Sequence, residues 1–184
     1  MWKRILAIIA LFYLFALLQN SFFVHYSLLG AVPDLVFVLF FGLVFVPIKN
    51  LRYFEIGGAY RIIFLAVCAG FFMDTFMYPY LGPSIISFLI IGFALRRVQL
   101  VLLNKDGRYP FLYFLVIFII SLLGYYMLLG LIANRLSPFK FLAFFPPKII
   151  FCIIYDSIFA TVFFYIYNAM YKINFNARQL RLFR

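Results

Sequence analysis

The sequence predicts an all-α fold: a polytopic bundle of six transmembrane helices, forming one integral membrane domain with both termini in the cytoplasm. Of the 184 residues, 68% are hydrophobic and 11% are charged, whereas soluble domains carry about 25% charged residues. The apolar residues form runs long enough to cross a bilayer, and most charges fall between these runs. This composition excludes water-soluble enzymes, disordered tails and secreted disulfide-rich modules.

Six apolar segments are predicted to span the membrane, because a helix needs about 20 apolar residues to cross roughly 30 Å of hydrocarbon. They are residues 5–23, 33–48, 61–78, 83–103, 111–133 and 147–167, followed by a basic cytoplasmic tail at 168–184. The first segment follows Lys3 and Arg4, as a signal peptide would. No small-residue cleavage site follows its apolar run, so we interpret it as an uncleaved first helix.

The second and fourth segments are the weakest, because charged residues bracket the second and Arg96 with Arg97 interrupt the fourth. Re-entrant segments are the alternative. With six spans, thirteen Lys and Arg residues lie on the cytoplasmic side and three lie outside, whereas a re-entrant fourth segment leaves eight on each side. Since basic residues collect in cytoplasmic loops, six spans are favoured. The thirteen are Lys3, Arg4, Lys49, Arg52, Arg61, Arg96, Arg97, Lys105, Arg108, Lys172, Arg178, Arg181 and Arg184.

The net charge of +11 is therefore interpreted as evidence for topology and for contact with anionic lipid, and not for nucleic-acid binding. In the tail, Arg178, Arg181 and Arg184 are three residues apart and share one side if that segment is helical. Attachment of this tail to anionic lipid is the favoured interpretation. Docking to a cytoplasmic partner is the alternative.

Asp34 stands at the very start of the second predicted span, and two of the five acidic residues, Asp74 and Asp156, fall further inside predicted spans. A charge at the centre of a bilayer costs about 3 kcal/mol on insertion scales, so each side chain should face protein or water. Ala66, Gly70 and Asp74 recur every four residues and therefore share one face of the third helix. Hydrogen bonding across helices is the favoured role for both carboxylates; a proton or cation relay is the alternative.

Enzymatic activity is not predicted. The sequence has no Gly-x-Gly-Asp motif of intramembrane aspartyl proteases, and it lacks the common nucleotide-binding, hydrolase and zinc-protease signatures. His25 is the only histidine, and a single histidine makes no metal site by itself. Neither a cofactor nor a metal is therefore expected.

One set of residues in the first half of the chain follows a recognisable order. The set comprises Leu18, Gln19, Pro33, Asp34, Leu35, Pro47, Gly70, Asp74, Leu81 and Gly82. Over about residues 5–103, this order resembles the bacterial rod shape-determining MreD family, with its Pro-Asp/Asn-Leu helix entry and an Asp eight residues before a Leu-Gly turn. The chain departs from the family pattern in the last helix, where Asp156 follows Tyr155 in place of an asparagine.

The resemblance implies a non-catalytic inner-membrane subunit of the bacterial cell-elongation complex. Such a subunit binds the single-pass protein MreC and connects MreB filaments and elongation-specific wall synthases through its cytoplasmic face. It implies a fold similar to the substrate-binding subunits of energy-coupling-factor importers. On this basis Ala66, Gly70 and Asp74 are expected at or just beneath the MreC contact.

The alternative function is that of a vitamin-binding membrane subunit of an energy-coupling-factor importer. Such a subunit needs an outward-facing cavity lined by polar groups. The outer half of the chain offers Gln19, Asn20, His25, Asp34 and Asp74 for this purpose.

The six-span topology predicts that the segment around Asn104 is cytoplasmic. A single cysteine placed at Asn104 should not react with a membrane-impermeant thiol reagent added to intact cells, and should react after the membrane is permeabilised. Labelling from outside would contradict the six-span topology.

Overall fold

The structure is a computed structural model that describes residues 2–27, 30–45, 58–77, 81–103, 111–133 and 147–182. Over these ranges it is all-helical and contains no β-strand. The helices are α1 (Trp2–Leu17), continued by a π-helical turn (Leu18–Phe22), α2 (Leu35–Phe45), α3 (Gly58–Met77), α4 (Pro83–Leu103), α5 (Phe111–Ala133) and α6 (Pro147–Leu182).

Five helices are long and apolar enough to cross a membrane, as expected of a multi-pass membrane protein. Their apolar parts are Ile5–Phe22, Ala59–Phe76, Pro83–Val101, Phe111–Ile132 and Ile149–Ile166. The sequence places α4 and α5 at the bounds that the structure has. Helix α4 runs unbroken through Arg96 and Arg97, the two charges that made the fourth predicted span one of the weakest.

Two helices differ in length from the sequence prediction. Over the described residues α2 has 11 residues, which correspond to about 16 Å, well short of the hydrocarbon thickness of roughly 30 Å. Residues 46–57, which include the predicted end of the second span, lie outside the described ranges. The last helix is longer than its predicted span of 147–167, because α6 continues to Leu182 while its apolar part is Ile149–Ile166.

Helix α2 forms the centre of the bundle. All of its residues are buried, and it contacts α1, α3, α4 and α6. Its phenylalanines pack against rings on α4 and α5, with ring centroids 4.7 Å apart for Phe40 and Phe88 and 5.1 Å apart for Phe41 and Phe118. Lipid tails are as apolar as these side chains, so close packing and ring contacts of about 0.5–1.5 kcal/mol each hold α2 in place.

The aromatic contacts also show which helix ends lie together. Phe114, near the start of α5, packs against Phe45 at the end of α2 and against Phe164 in α6, with centroids 5.9 and 4.8 Å apart. The end of α2, the start of α5 and the end of the apolar part of α6 therefore lie at one end of the bundle. We call this the basic end, because Arg61 and the Arg96–Arg97 pair lie toward it.

Helices α3 and α4 approach each other closely at Gly70. A Cβ atom at this position would meet the backbone of Ile85, and Ala66 on the same face is fully buried. The small-residue face of α3, expected at or beneath a partner contact, is thus occupied by α4 of the same chain. Gly124 on α5 is the opposite case, since a Cβ atom there has no neighbour within 4 Å.

The same substitution at these two glycines should have opposite effects. Gly70→Ala should lower the free energy of unfolding by about 2 kcal/mol, because backbone atoms of α4 cannot move aside cheaply. Gly124→Ala should raise it by up to about 1 kcal/mol, because alanine is the better helix former and has room. Thermal unfolding of both variants in one detergent measures the difference, and equal stability of the two would contradict the packing.

Candidate functional site: polar contacts at the ends of the buried helix

The first turn of α2 is capped by Asp34. The Phe37 N–H donates to Asp34 Oδ1 at 3.0 Å, which is the usual bond from the third helical residue to an N-cap side chain. The N–H groups at a helix start have no partner inside the helix, and in a membrane interior no water replaces that partner. Asp34 therefore removes part of the cost of beginning a helix inside the bundle.

The π-helical turn at the end of α1 supplies a second cap. Gln19 in this turn is buried, and its Oε1 accepts a hydrogen bond from the Val36 N–H at 3.4 Å. Its Nε2 donates to the Met73 sulfur at 3.9 Å. The side chain of Gln19 thus links the end of α1, the start of α2 and the end of α3.

Asp156, in the middle of the apolar part of α6, is a third side chain that accepts a hydrogen bond at the start of α2. Its Oδ1 accepts a hydrogen bond of 2.6 Å from the Asp34 N–H, and its Oδ2 accepts one of 3.3 Å from the Tyr126 hydroxyl on α5. One turn earlier in α6, the Cys152 thiol donates to the Val32 carbonyl at 3.8 Å. Asp156 is fully buried and ties three helices together at one point.

Asp74 caps a different helix. Its carboxylate accepts hydrogen bonds from the N–H groups of Gly82 (2.7 Å) and Ser84 (2.9 Å), and the Gly82 carbonyl accepts from the Ile86 N–H of α4 (3.0 Å). Gly82 has φ +127°, a conformation that residues with a side chain rarely adopt. Pro83 then begins α4 at the position where a missing N–H costs least. The Leu81–Gly82 turn is thereby fixed to the end of α3.

At the other end of α2, side chains from neighbouring helices donate hydrogen bonds to its backbone carbonyls. The Arg61 guanidinium on α3 donates to the Leu43 carbonyl at 2.5 Å, and the Gln99 amide on α4 donates to the Phe45 carbonyl at 3.0 Å. The last carbonyls of a helix lack hydrogen-bond donors inside the helix, and Arg61 and Gln99 supply donors for two of them. Asp34 and Gln19 supply the acceptors for the free N–H groups at the start of α2.

The structure brings some of the predicted site residues together and separates others. Asp74 and Asp156 are both buried and both accept hydrogen bonds from the backbone of another segment, which is the role the sequence favours. They cap different helices. Leu81 is exposed, Arg96 is half-buried and Arg97 is exposed.

The basic tail is described only in part. Arg178 and Arg181 lie in the last turns of α6, and Arg184 lies outside the described residues.

The polar groups proposed for a vitamin cavity all have protein partners. Besides Gln19, Asp34 and Asp74, the Asn20 amide donates to the Ala16 carbonyl at 2.9 Å, and His25 Nδ1 lies 2.7 Å from the Ser21 carbonyl. Within the described part of the chain, no group of three or more His, Cys, Asp or Glu residues is arranged to hold a metal ion.

Sequence reasoning missed Tyr126, Arg61 and Gln99 as partners of these contacts. The signal that could have indicated such contacts is the shortness of the second segment, because a short apolar run is more often a buried core helix than a span. The free backbone groups at both ends of a buried helix need hydrogen-bond partners. Nothing local in the sequence says which residues those partners are.

No protein-family model matches the chain, and neither a curated protein nor a solved structure is significantly similar to it.

Substitutions at Asp156 can separate a hydrogen-bonding role from one that needs an ionisable group. Asp156→Asn keeps an acceptor for the Asp34 N–H and should lower the free energy of unfolding by about 1 kcal/mol or less. Asp156→Leu leaves that buried N–H and the Tyr126 hydroxyl unpaired and should cost about 3 kcal/mol. Thermal unfolding in detergent measures both, and equal losses for Asn and Leu would contradict the capping role.

Proposed function

We propose that the chain is a non-catalytic scaffold subunit of the bacterial cell-elongation complex in the inner membrane. In this proposal it binds MreC and links cytoplasmic MreB filaments to peptidoglycan synthesis. The support is that residues carrying the MreD resemblance are those that fix the helices: Asp34 caps α2, Asp74 and Gly82 fix the start of α4, and Gln19 joins three helices.

A scaffold role fits the use that the bundle makes of its intramembrane polar groups. Asp34, Asp74 and Asp156 each accept hydrogen bonds from backbone N–H groups. Such bonds hold helix ends in fixed positions and keep the outer surface constant in shape. A partner helix that recognises the bundle by shape needs a surface of this kind.

The MreC contact in this proposal lies on an outward face of the bundle. Helix α4 occupies the inner face of α3 at Gly70, so a partner cannot reach that position without separating the two helices. Outward faces are available on α5, where Leu112 and Ile120 are exposed, and on α6, where Ile154 and Ile158 are exposed.

The basic end of the bundle faces the cytoplasm in this proposal. Lys and Arg outnumber Asp and Glu by 16 to 5 in the chain, and an excess of basic residues is typical of cytoplasmic loops. This orientation places the basic end beside anionic lipid headgroups and beside MreB and the wall synthases.

The vitamin-binding alternative has less support than the scaffold. A ligand cavity needs polar groups that are free to bind the ligand. The five polar residues that the sequence offers for that purpose each have a hydrogen-bond partner within the protein, which for Asn20 and His25 is a carbonyl one turn earlier in the same segment.

Depletion of the protein in its native bacterium tests the proposal. Rod-shaped cells should become round as the protein is lost, and re-expression of the wild-type chain should restore rods. Gly124→Ala should also restore them, whereas Asp156→Leu should restore them poorly because it destabilises the bundle. MreC should co-purify with the wild type and with Gly124→Ala.

The vitamin alternative makes a different forecast for the same experiment. If supplied vitamin restores growth of depleted cells while their shape stays normal throughout, the importer function replaces the scaffold. Absence of MreC from the purified wild-type chain would also count against the scaffold.

A further inference from the structure

Two carboxyl groups meet at the first turn of α2. Asp34 is 4% exposed and Asp156 is 0% exposed, so both are removed from solvent. Asp156 Oδ1 accepts from the Asp34 N–H at 2.6 Å, and Asp34 Oδ1 accepts from the Phe37 N–H of the same turn at 3.0 Å. If both carboxyl groups were ionised, two like charges would interact inside the bundle, where water screens them little.

The start of α2 suits one negative charge and not two. A helix N-terminus carries about half a positive elementary charge, and its free N–H groups bond an anion. Within the described ranges, neither carboxylate is paired with a lysine, arginine or histidine. Arg61 bonds to α2 at its other end, at Leu43, about 14 Å along the helix from Asp34. Two buried carboxyl groups in such a place share one proton.

The other groups around the pair do not supply a positive charge. The ionisable side chains that face it are uncharged hydroxyl and thiol groups: Tyr125 and Tyr126 on α5 and Cys152 on α6. The π-helical turn presents the neutral amide of Gln19. On α3, the Asp74 carboxylate is bonded to N–H groups at the start of α4. The proton that neutralises one of the two charges therefore resides on the pair itself.

Repulsion between the two carboxylates would act on the contact between α2 and α6. Helix α2 is bonded at its far end to α3 through Arg61 and to α4 through Gln99, so it is fixed to these helices. Beside the pair, two hydrogen bonds join α6 to the chain that enters α2. They run from the Asp34 N–H to Asp156 and from the Cys152 thiol to the Val32 carbonyl. These two bonds are the ones that a second charge would strain.

We propose that the Asp34–Asp156 pair holds one proton and forms a pH-sensitive latch between the start of α2 and α6. With the proton in place, the pair carries a single negative charge that the helix start stabilises, and the latch is closed. Raising the pH removes the proton, the two like charges repel, and α6 separates from residues 32–34. The proposal does not depend on the cell-shape role.

The first test detects the proton directly. Infrared spectra of the full-length chain in detergent at neutral pH should contain the C=O stretch of a protonated buried carboxyl group, and this band should disappear as the pH is raised. Asp156→Asn and Asp34→Asn should each remove it, because the remaining carboxylate is a single charge at a helix start. Asparagine caps helices about as well as aspartate, so Asp34→Asn should still fold.

The matched control for the infrared test is Asp74→Asn. It removes a buried carboxylate that caps α4 and should leave the band in place. A wild-type spectrum without the band at neutral pH would overturn the proposal, and so would a band that only Asp74→Asn removes.

The second test measures opening of the latch through Cys152, which is buried one turn from Asp156. Cys68→Ala leaves Cys152 as the only cysteine of the full-length chain. At about pH 9, a small maleimide should react about tenfold faster with this chain than with the same chain carrying Asp156→Asn, because a buried thiol reacts in proportion to the open fraction. At about pH 6 the two rates should be equal.

Comparing the two chains at one pH cancels the effect of pH on the thiol itself. Equal rates at the higher pH would refute the latch. Faster reaction of the Asp156→Asn chain at both pH values would also refute it, since the variant would then open the contact by itself.

Discussion

The organisation of this bundle depends on one constraint: a helix shorter than the membrane begins and ends among other helices, where no water can bond its free backbone groups. Helix α2 is such a helix, with 11 described residues, all buried. Asp34 and Gln19 accept hydrogen bonds from its first N–H groups, Asp156 accepts one from the N–H of its N-cap residue Asp34, and Arg61 and Gln99 donate to its last carbonyls. An unpaired buried group costs about 1–3 kcal/mol, so these bonds decide whether α2 can occupy the centre.

The caps also fix the relative positions of the surrounding helices, because each comes from a different one. Gln19 follows α1, Arg61 belongs to α3, Gln99 to α4 and Asp156 to α6, while Tyr126 of α5 bonds to Asp156. A shift of α1, α3, α4 or α6 along its axis would break a bond to the backbone of α2 or of its N-cap residue Asp34, and a shift of α5 would break the bond between Tyr126 and Asp156. The apolar contacts around them are less directional, since one phenylalanine ring can pack against several neighbours.

A large part of the fold could be predicted because hydropathy is a local property. The bounds of α4 and α5 follow from their apolar runs, and Asp74 and Asp156 stood out because acids are scarce inside spans. The two arginines in α4 are compatible with that helix, because an arginine side chain has a long apolar stem, and α4 runs unbroken through Arg96 and Arg97. Hydropathy predicts where an apolar span ends and not where its helix ends, so the continuation of α6 to Leu182 did not follow from the apolar run.

The sequence by itself determined the helical class, the membrane environment and the two buried carboxylates. Only the tertiary structure decided that α2 is central, that α4 occupies the small-residue face of α3, and which backbone group each side chain bonds. Lipid is as apolar as a protein interior, so hydropathy cannot distinguish the buried α2 from α5, which exposes Leu112 and Ile120. The bond between Asp34 and Asp156 joins residues 122 apart, and no local pattern specifies such a pairing.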